Sequence, residues 1–581
     1  MARTIPDLWR RAVEEPRPFP AFLIQEPGGW RSVSWSEAAR AVEELAAGFL
    51  SLGIGKGDRV SILSRTRIEW TLCDYALASI GGVVVPIYPT SSAVECAFVL
   101  GNSGARVILC EDRGQAAKIA PARTELEALQ QVIAIEGADA STPSLDEIRE
   151  HGRAYLLDHP DAVEEARAAI GEEDELTIVY TSGTTGPPKG CVLTHRNYWA
   201  MVDSVRQVEG LFEPGDRALL HLPLAHTFGR LVQLLGARVG FTIAFCPDVA
   251  RVAQALVDVR PTLFPSVPRV FEKVSAGMRG RLEEATGPRR RLIDWALGVG
   301  YQAGRCREEG RRCPRGVALQ LLVADRLVFS KVKARFGGRL RFAISGGAPL
   351  AKEVAEFFAA LGIVVLEGYG LTEGTTASNM NRPARYRFGT VGPALPGCEV
   401  KVAEDGEVLI RGETVFRGYY RDERATREVL TEDGWLKTGD IGAIDEDGFL
   451  TIADRKKDII VTAGGKKVSP QNIENALKAS RYVSEALVVG DRRPYVVALV
   501  TLDREQVEKV ARTEHEIRAL VQQAVDGVNR ELGRSEHVRR FAILPREFEQ
   551  EKAELTPTLK VRRRVCEEHF RAEIDRLYAG A

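Results

Sequence analysis

Between residues 59 and 110, apolar β-branched runs alternate with helical periods, and that alternation leaves few choices of fold. Arg59–Leu63 reads as a strand, about 68–80 as a helix, Val83–Ile87 as a strand, about 92–100 as a helix and Arg106–Cys110 as a third strand. Strands separated by a helix run parallel, with the helix as their crossover on one face of the sheet. The pattern therefore predicts an α/β architecture with a doubly wound parallel sheet. It resumes at Leu340–Ile344, a helix at about 351–361 and Val364–Leu366. A chain of 581 residues exceeds what one hydrophobic core supports, so two or more domains are expected.

The charge balance is neutral overall, 79 Lys plus Arg against 80 Asp plus Glu, so no global field favours nucleic acid. The first thirty residues lack the apolar core of a signal peptide, and no run of eighteen apolar residues occurs. The nine cysteines are scattered without a C-x-x-C, which fits reduced core thiols in a cytoplasmic protein rather than a disulfide framework or a zinc site.

The strand-like run Leu176–Tyr180 leads into Tyr180-Thr-Ser-Gly-Thr-Thr-Gly-Pro-Pro-Lys-Gly190. Few of its side chains can be buried, but its glycines let several backbone N–H groups face one point. Thr181, Ser182, Thr184 and Thr185 add hydroxyl donors, and Lys189 adds a full positive charge. These are the parts of an anion cradle. The Walker A spacing fails, because Pro188 stands five residues after Gly183.

Further along, His221-Leu-Pro-Leu-Ala-His-Thr-Phe-Gly229 holds two histidines, and on spacing alone His226 reads more readily as a core histidine than as a catalyst. Residues 278–315 hold ten arginines beside apolar Leu292–Leu297; the pattern suits an anionic membrane surface or a polyanionic ligand, although interspersed glutamates favour a solvated helical face. Ser345-Gly-Gly-Ala-Pro349 and Glu367-Gly-Tyr-Gly-Leu-Thr-Glu-Gly374 are glycine turns after strands, where doubly wound folds bind ligands. In the second, Tyr369 offers an aromatic face, Thr372 a hydroxyl and Glu373 a hard oxygen ligand or a helix-capping acid.

From about 396 to 454 the texture changes to short strands separated by Asp-Gly turns, as in a small antiparallel sheet or barrel. Asp440 in this part could accept from a diol or cap a turn. The charge run Asp454-Arg-Lys-Lys-Asp458 marks a domain boundary. A small α+β domain follows, with a long helix expected over about 504–532, and near its end Lys560 stands in Glu554-Leu-Thr-Pro-Thr-Leu-Lys560.

Seven stretches, in order, resemble the adenylate-forming superfamily of acyl-CoA synthetases, luciferases and nonribosomal adenylation domains. They are Tyr180–Gly190, His221–Gly229, Ser345–Pro349, Tyr369–Glu373, Gly434–Asp440, Asp454–Asp458 with Gly464–Pro470, and Glu554–Lys560. Leu222–His226, the basic insertion and the ending Glu554–Lys560 are most similar to bacterial long-chain fatty acid–CoA ligases. Leu559 stands where many superfamily members carry glycine.

The resemblance implies a large N-terminal domain, 1–454, of two doubly wound parallel-sheet subdomains plus a small β-barrel-like subdomain at about 396–454, and a mobile α+β C-terminal domain, 455–581. It implies an enzyme that joins a fatty acid to AMP from ATP, releases pyrophosphate, and then passes the acyl group to coenzyme A. Thr181, Ser182, Gly183, Thr184, Thr185 and Lys189 would surround the β- and γ-phosphates, and Glu373 with Thr181 would hold Mg2+. Thr372 would sit near the α-phosphate, Tyr369 would stack on adenine beside Gly346, Gly347, Ala348 and Gly368, and Asp440 and Arg455 would hold the ribose. Lys560 would neutralise the charge of the adenylation transition state, His226 would gate the acyl pocket, Lys457 would be the hinge, and Gly464 and Gly465 would line the coenzyme A tunnel. A fatty acyl-AMP ligase loading a carrier protein is the nearest alternative; such enzymes carry an extra segment near the domain junction, and Ile441–Ile460 runs through without one.

Overall fold

The computed structural model describes residues 3–139, 142–181, 187–534, 536–556 and 560–579, the side chain of Glu283 excepted. The expected strands take their places in two large sheets. The first runs in the order Gly418–Tyr419, Lys189–Thr194, Glu175–Thr181, Val83–Ile87, Arg59–Leu63, Val107–Cys110 and Gln131–Ala134. Its centre is parallel, with Arg59–Leu63 between Val83–Ile87 and Val107–Cys110. Every residue of these two flanking strands is buried, as continuous apolar runs must be when helices cover both faces. At one edge the chain turns back, so that Glu175–Thr181 and Lys189–Thr194 pair antiparallel and Thr181 faces Lys189.

The second sheet runs Asn379–Met380, Val365–Tyr369, Phe342–Ser345, Leu263–Ser266, Arg217–Leu220, Thr242–Phe245, Phe22–Glu26 and Gly29–Val33, parallel except at its two ends. A buried polar cluster ties the two halves together. Arg230, on the helix Thr227–Leu235 of the second half, donates through Nε to Asp74 Oδ2 at 3.0 Å, and Asp74 lies on the helix Ile68–Ser79 of the first. Gln233 also donates to Asp74 at 2.8 Å and accepts from Thr71 at 2.8 Å. Removing one partner from such a buried pair costs about 3–5 kcal/mol, because the other charge is left alone in a dry interior.

The β-rich stretch is a four-stranded antiparallel sheet in the order Glu399–Val402, Glu407–Arg411, Leu436–Ile444 and Leu450–Arg455. Beyond it, Val483–Val489, Val496–Leu502 and Val538–Ile543 form a smaller sheet whose alternate residues enter separate cores. Val488, Ala498 and Val500 join the helices Pro470–Lys478 and Glu514–Glu531 on one face, while Leu487, Val497 and Leu499 join Arg563–His569 and Arg571–Tyr578 on the other.

The single helix expected over about 504–532 is two helices, Arg504–Val507 and Glu514–Glu531. Thr513 accepts from Glu516 N while the Glu516 side chain accepts from Thr513 N; this capping box starts a new helix where apolar periodicity alone suggested continuation. No helix among the described residues is long and apolar enough to cross a membrane.

Candidate active site

Four strand ends converge on one cleft. At the first, Thr181 and Lys189 are cross-strand partners, and the residues that join them, Ser182, Gly183, Thr184 and Thr185 among them, lie outside the described residues. Lys189 Nζ stands 5.0 Å from the centre of the Tyr419 ring, and Tyr419 Oη donates to Glu373 Oε1 at 2.8 Å. Tyr419 pairs beside Cys191 at the sheet edge, so one added short strand brings lysine and carboxylate to the same ring.

At the second, Phe342–Ser345 ends in Gly346-Gly347-Ala348, and Gly347 has φ +84°, which a residue bearing Cβ adopts only with strain. Glu367 closes this turn by accepting from Leu350 N at 3.1 Å. Burial pushes the Glu367 carboxyl up to about 8, with that amide opposing, so it is largely uncharged at neutral pH.

The third end, Val365–Tyr369, leads to the single 3-10 turn Thr372–Gly374, which carries Thr372 and Glu373. A Cβ on Gly370 would lie 2.1 Å from the Thr376 carbonyl oxygen, so only glycine fits there. Thr375 and Thr376 follow with φ of +51° and +95°. For β-branched residues this is strained backbone, of the order of 1–3 kcal/mol each, held by the surroundings; Thr375 Oγ1 donates to the Thr414 carbonyl at 2.5 Å.

The fourth contribution is the cross-strand pair Asp440 and Arg455. Arg455 Nε lies 2.9 Å from Asp440 Oδ1, and Tyr369 Oη donates to Asp440 Oδ2 at 2.6 Å. Burial first, and then the Asp440 charge, hold the Tyr369 phenol well above its ordinary range, so it remains a neutral donor.

His226 caps the helix Thr227–Leu235, its Nδ1 accepting from Phe228 N at 3.1 Å. Loss of hydration, reinforced by the positive charge of Lys560, lowers its pKa to about 4, so the ring is neutral with its remaining proton on Nε2. Lys560 is exposed at the surface, although protein atoms lie around its ammonium. Loss of hydration is the largest influence on its ammonium, Arg455 adds to it, Asp440 opposes, and its pKa falls to about 8. Lys560 thus lies within electrostatic reach of His226, Arg455 and Asp440.

The loop that carries Lys560 is braced from within. Thr556 N donates to Lys560 O at 2.8 Å, and Lys560 N to Thr556 Oγ1 at 3.0 Å. Glu554 is fully buried, takes a two-pronged contact from Arg546 at 2.6 Å on each oxygen, and meets His569 Nδ1 at 2.9 Å. Burial opposes its charge, but these partners outweigh it and hold the carboxyl down to about 2.

The AMP-binding enzyme profile matches residues 8–420, and the AMP-binding enzyme C-terminal domain profile matches 457–581. The chain belongs to the AMP-binding enzyme family. It is 39% identical to the long-chain-fatty-acid–CoA ligase FadD15 of Mycobacterium bovis, over 97% of this chain and 96% of that one. It is 32% identical to the peroxisomal long chain acyl-CoA synthetase 7 of Arabidopsis thaliana, over 95% of this chain and 82% of the relative. Among solved structures, the adenylation domain of a Mycobacterium chelonae carboxylate reductase superposes with a TM-score of 0.79 at 22% identity, covering 99% of this chain and 91% of that one; this likeness bears on fold alone. A Mycobacterium tuberculosis fatty acyl CoA synthetase gives 0.64 at 25% identity, over 98% and 99% of the two chains.

Within this family fold the structure brings together Thr181, Lys189, Tyr369, Glu373, Asp440, Arg455, His226 and Lys560. It sets Gly464 and Gly465 elsewhere: they are exposed at the tip of the hairpin Ile460–Val461 and Lys467–Val468, whose neighbouring Ala463 N donates to the Arg493 carbonyl at 2.8 Å. Lys457 is exposed between the two groups of residues. Its pKa is lowered by loss of hydration first and Arg455 second.

Sequence reading missed Tyr419, Glu367 and Glu554. Tyr419 sits in a two-residue strand too short to register as one, and the partners of Glu554 come from a loop eight residues before and a helix fifteen after. No group of three or more His, Cys, Asp or Glu among the described residues forms a metal cage. One carboxylate, Glu373, beside one hydroxyl, Thr181, is a hard-oxygen set that suits a Mg2+ held chiefly by phosphate oxygens and water.

Proposed function

We propose that the protein activates a long-chain fatty acid with ATP and transfers the acyl group to coenzyme A. In the first step a carboxylate oxygen attacks the α-phosphorus and the bond from that phosphorus to the α,β-bridging oxygen breaks, its electron pair leaving with pyrophosphate, to give acyl-AMP. In the second the thiol sulfur attacks the acyl carbon, AMP leaves with the bonding pair, and the thiol proton is released. Both reactants of the first step are anions, so the site's task is to neutralise charge and hold an in-line geometry. The observation that carries this reading is the Asp440–Arg455 pair, joined by Tyr369 on the same carboxylate, within electrostatic reach of the Lys560 ammonium.

In this reading Thr181, Ser182, Gly183, Thr184, Thr185 and Lys189 cradle the β- and γ-phosphates. Mg2+ on Glu373 and Thr181 would offset phosphate charge. Tyr369 stacks on adenine along Gly346–Ala348 and Gly368 while its hydroxyl steadies Asp440, and Asp440 and Arg455 take the ribose. Thr372 donates to the α-phosphate, Lys560 bridges the carboxylate and α-phosphate oxygens, and His226 flanks the acyl entrance. The second step needs the thiol where Lys560 stood, so the part beyond Lys457 turns about that residue relative to the rest of the chain and brings Gly464 and Gly465 to the cleft. Coenzyme A rather than a carrier protein is the acceptor in this reading, supported by relatives named as CoA ligases. The test is pyrophosphate release dependent on fatty acid, followed by mass measurement of the acyl product with and without coenzyme A. A thioester formed only on a carrier protein would replace this reading with the alternative, and absence of pyrophosphate would end both.

A further inference from the structure

An amphipathic helix normally turns its apolar side inward, and the helix Arg315–Ala324 does not. Its Ala324, with Phe329 from the following turn, packs against Ala296, Phe357 and Leu361 in a small satellite core. Leu321 leans on that core as well, but Leu319 is 66% exposed, Leu322 69%, Val323 44% and the neighbouring Leu327 45%. Positions 319, 322 and 323 are three and four apart and 327 lies four beyond 323, so these side chains form one stripe rather than scattered contacts.

The charge around the stripe has one sign. From 311 to 335 there are seven basic residues against the single acid Asp325, a net of six positive charges. Asp325 is taken by Lys333 at 2.6 Å, and Arg311 by Glu309. Arg312, Arg315, Arg326, Lys331 and Arg335 are exposed and in no salt bridge with the described residues. Of Arg289–Arg291, Arg290 is paired with Asp294 at 2.8 Å.

We propose that this face docks on an anionic lipid bilayer, with Leu319, Leu322, Val323 and Leu327 entering the interface and the surrounding arginines meeting lipid phosphates. Apolar residues rimmed by arginine and lysine are the composition an interfacial helix needs, and the guanidinium fork matches a phosphate. A second copy of the chain is the poorer occupant: a two-fold contact sets the same patch against itself, six positive charges opposite six. The proposal rests on no step of the reaction.

Sedimentation of the full chain with vesicles of phosphatidylcholine, with and without added phosphatidylglycerol, tests it. The chain pellets with the anionic vesicles, little with the neutral ones, and less as salt rises. Leu319→Ser/Leu322→Ser/Val323→Ser lowers partitioning at least about tenfold. Arg312→Ser/Arg315→Ser/Arg326→Ser lowers it on the order of a hundredfold and removes the preference for anionic lipid. Both variants keep the wild-type melting temperature and pyrophosphate exchange on a soluble acid, which separates lost docking from lost fold or chemistry; Leu322→Ser alone serves if the triple variant does not fold. Equal pelleting with both vesicle types, none with either, or unchanged pelleting of the apolar variant overturns the proposal. So does a lipid-free dimer that the apolar variant converts to monomer, which would make the stripe a contact between copies.

Discussion

The two sides of the cleft are held by different kinds of contact. On the large side, Asp440 meets Arg455 because their strands pair in register, and Tyr369 reaches the same carboxylate from the end of another sheet. Strand register fixes the pair, and Asp440 at its centre is buried. On the small side, Lys560 rides on a loop that is rigid inside, through Glu554, Arg546 and His569, but meets the large side through side-chain contacts. Arg562 reaches Glu95 at 3.1 Å, and Arg269 pairs with Glu485 and donates to Ser484 at 3.4 Å. Ion pairs with solvent access are worth about 0–1 kcal/mol each. A part built this way delivers a charge in a fixed geometry and can still withdraw as a unit.

The comparison is broken most sharply by removing the delivered charge. Lys560→Ala lowers adenylation on the order of 10²–10³-fold or more, by analogy with losing one transition-state donor, while preformed acyl-AMP still reacts with coenzyme A. Equal loss in both half-reactions, measured by pyrophosphate exchange and by thioester formation, would show that the lysine serves the fold. Next in size is the joint. Lys457→Pro fixes one backbone angle where the chain must swing, so adenylation survives and thioester formation drops by about tenfold or more.

The lysine's charge sets a smaller, pH-dependent effect. Its pKa is lowered to about 8, so the ammonium is present below that pH and lost as pH rises through it. The kcat/KM of adenylation, which reports the free enzyme, falls on the alkaline side from about pH 8. Lys560→Arg retains its charge and moves that limb upward, whatever activity remains; an unmoved limb assigns the titration to another group. The smallest effect sharpens the contrast itself. Arg562→Ala and Arg269→Ala shift the ratio of adenylation to thioester formation by about twofold to fivefold each, and higher salt does the same to the wild type. Asp440→Asn, by contrast, should show no such salt sensitivity, because its partners are held by strand pairing.

Much of this was legible before any coordinates. Arg59–Leu63 and Val83–Ile87 have the bounds that their apolar, β-branched runs predict, because a buried strand needs such a run. Thr181, Lys189, Glu373, Asp440 and Lys560 were legible as chemistry-bearing types at strand ends and glycine turns. Tyr419 against Glu373, Glu367 under the Gly346–Ala348 turn and Glu554 behind Lys560 were not, since each acts through a partner that only folding brings near.

Sequence alone settled which residues could carry charge, hydroxyls and glycine turns, and that helices would cover parallel strands, because those properties belong to residue types and their local period. Tertiary structure decided which groups share a cleft and which side of a helix meets water. Leu319 and Leu322 stay outside, while Ala324 and Phe329 enter the satellite core. Volume and neighbours are settled only when the chain closes on itself.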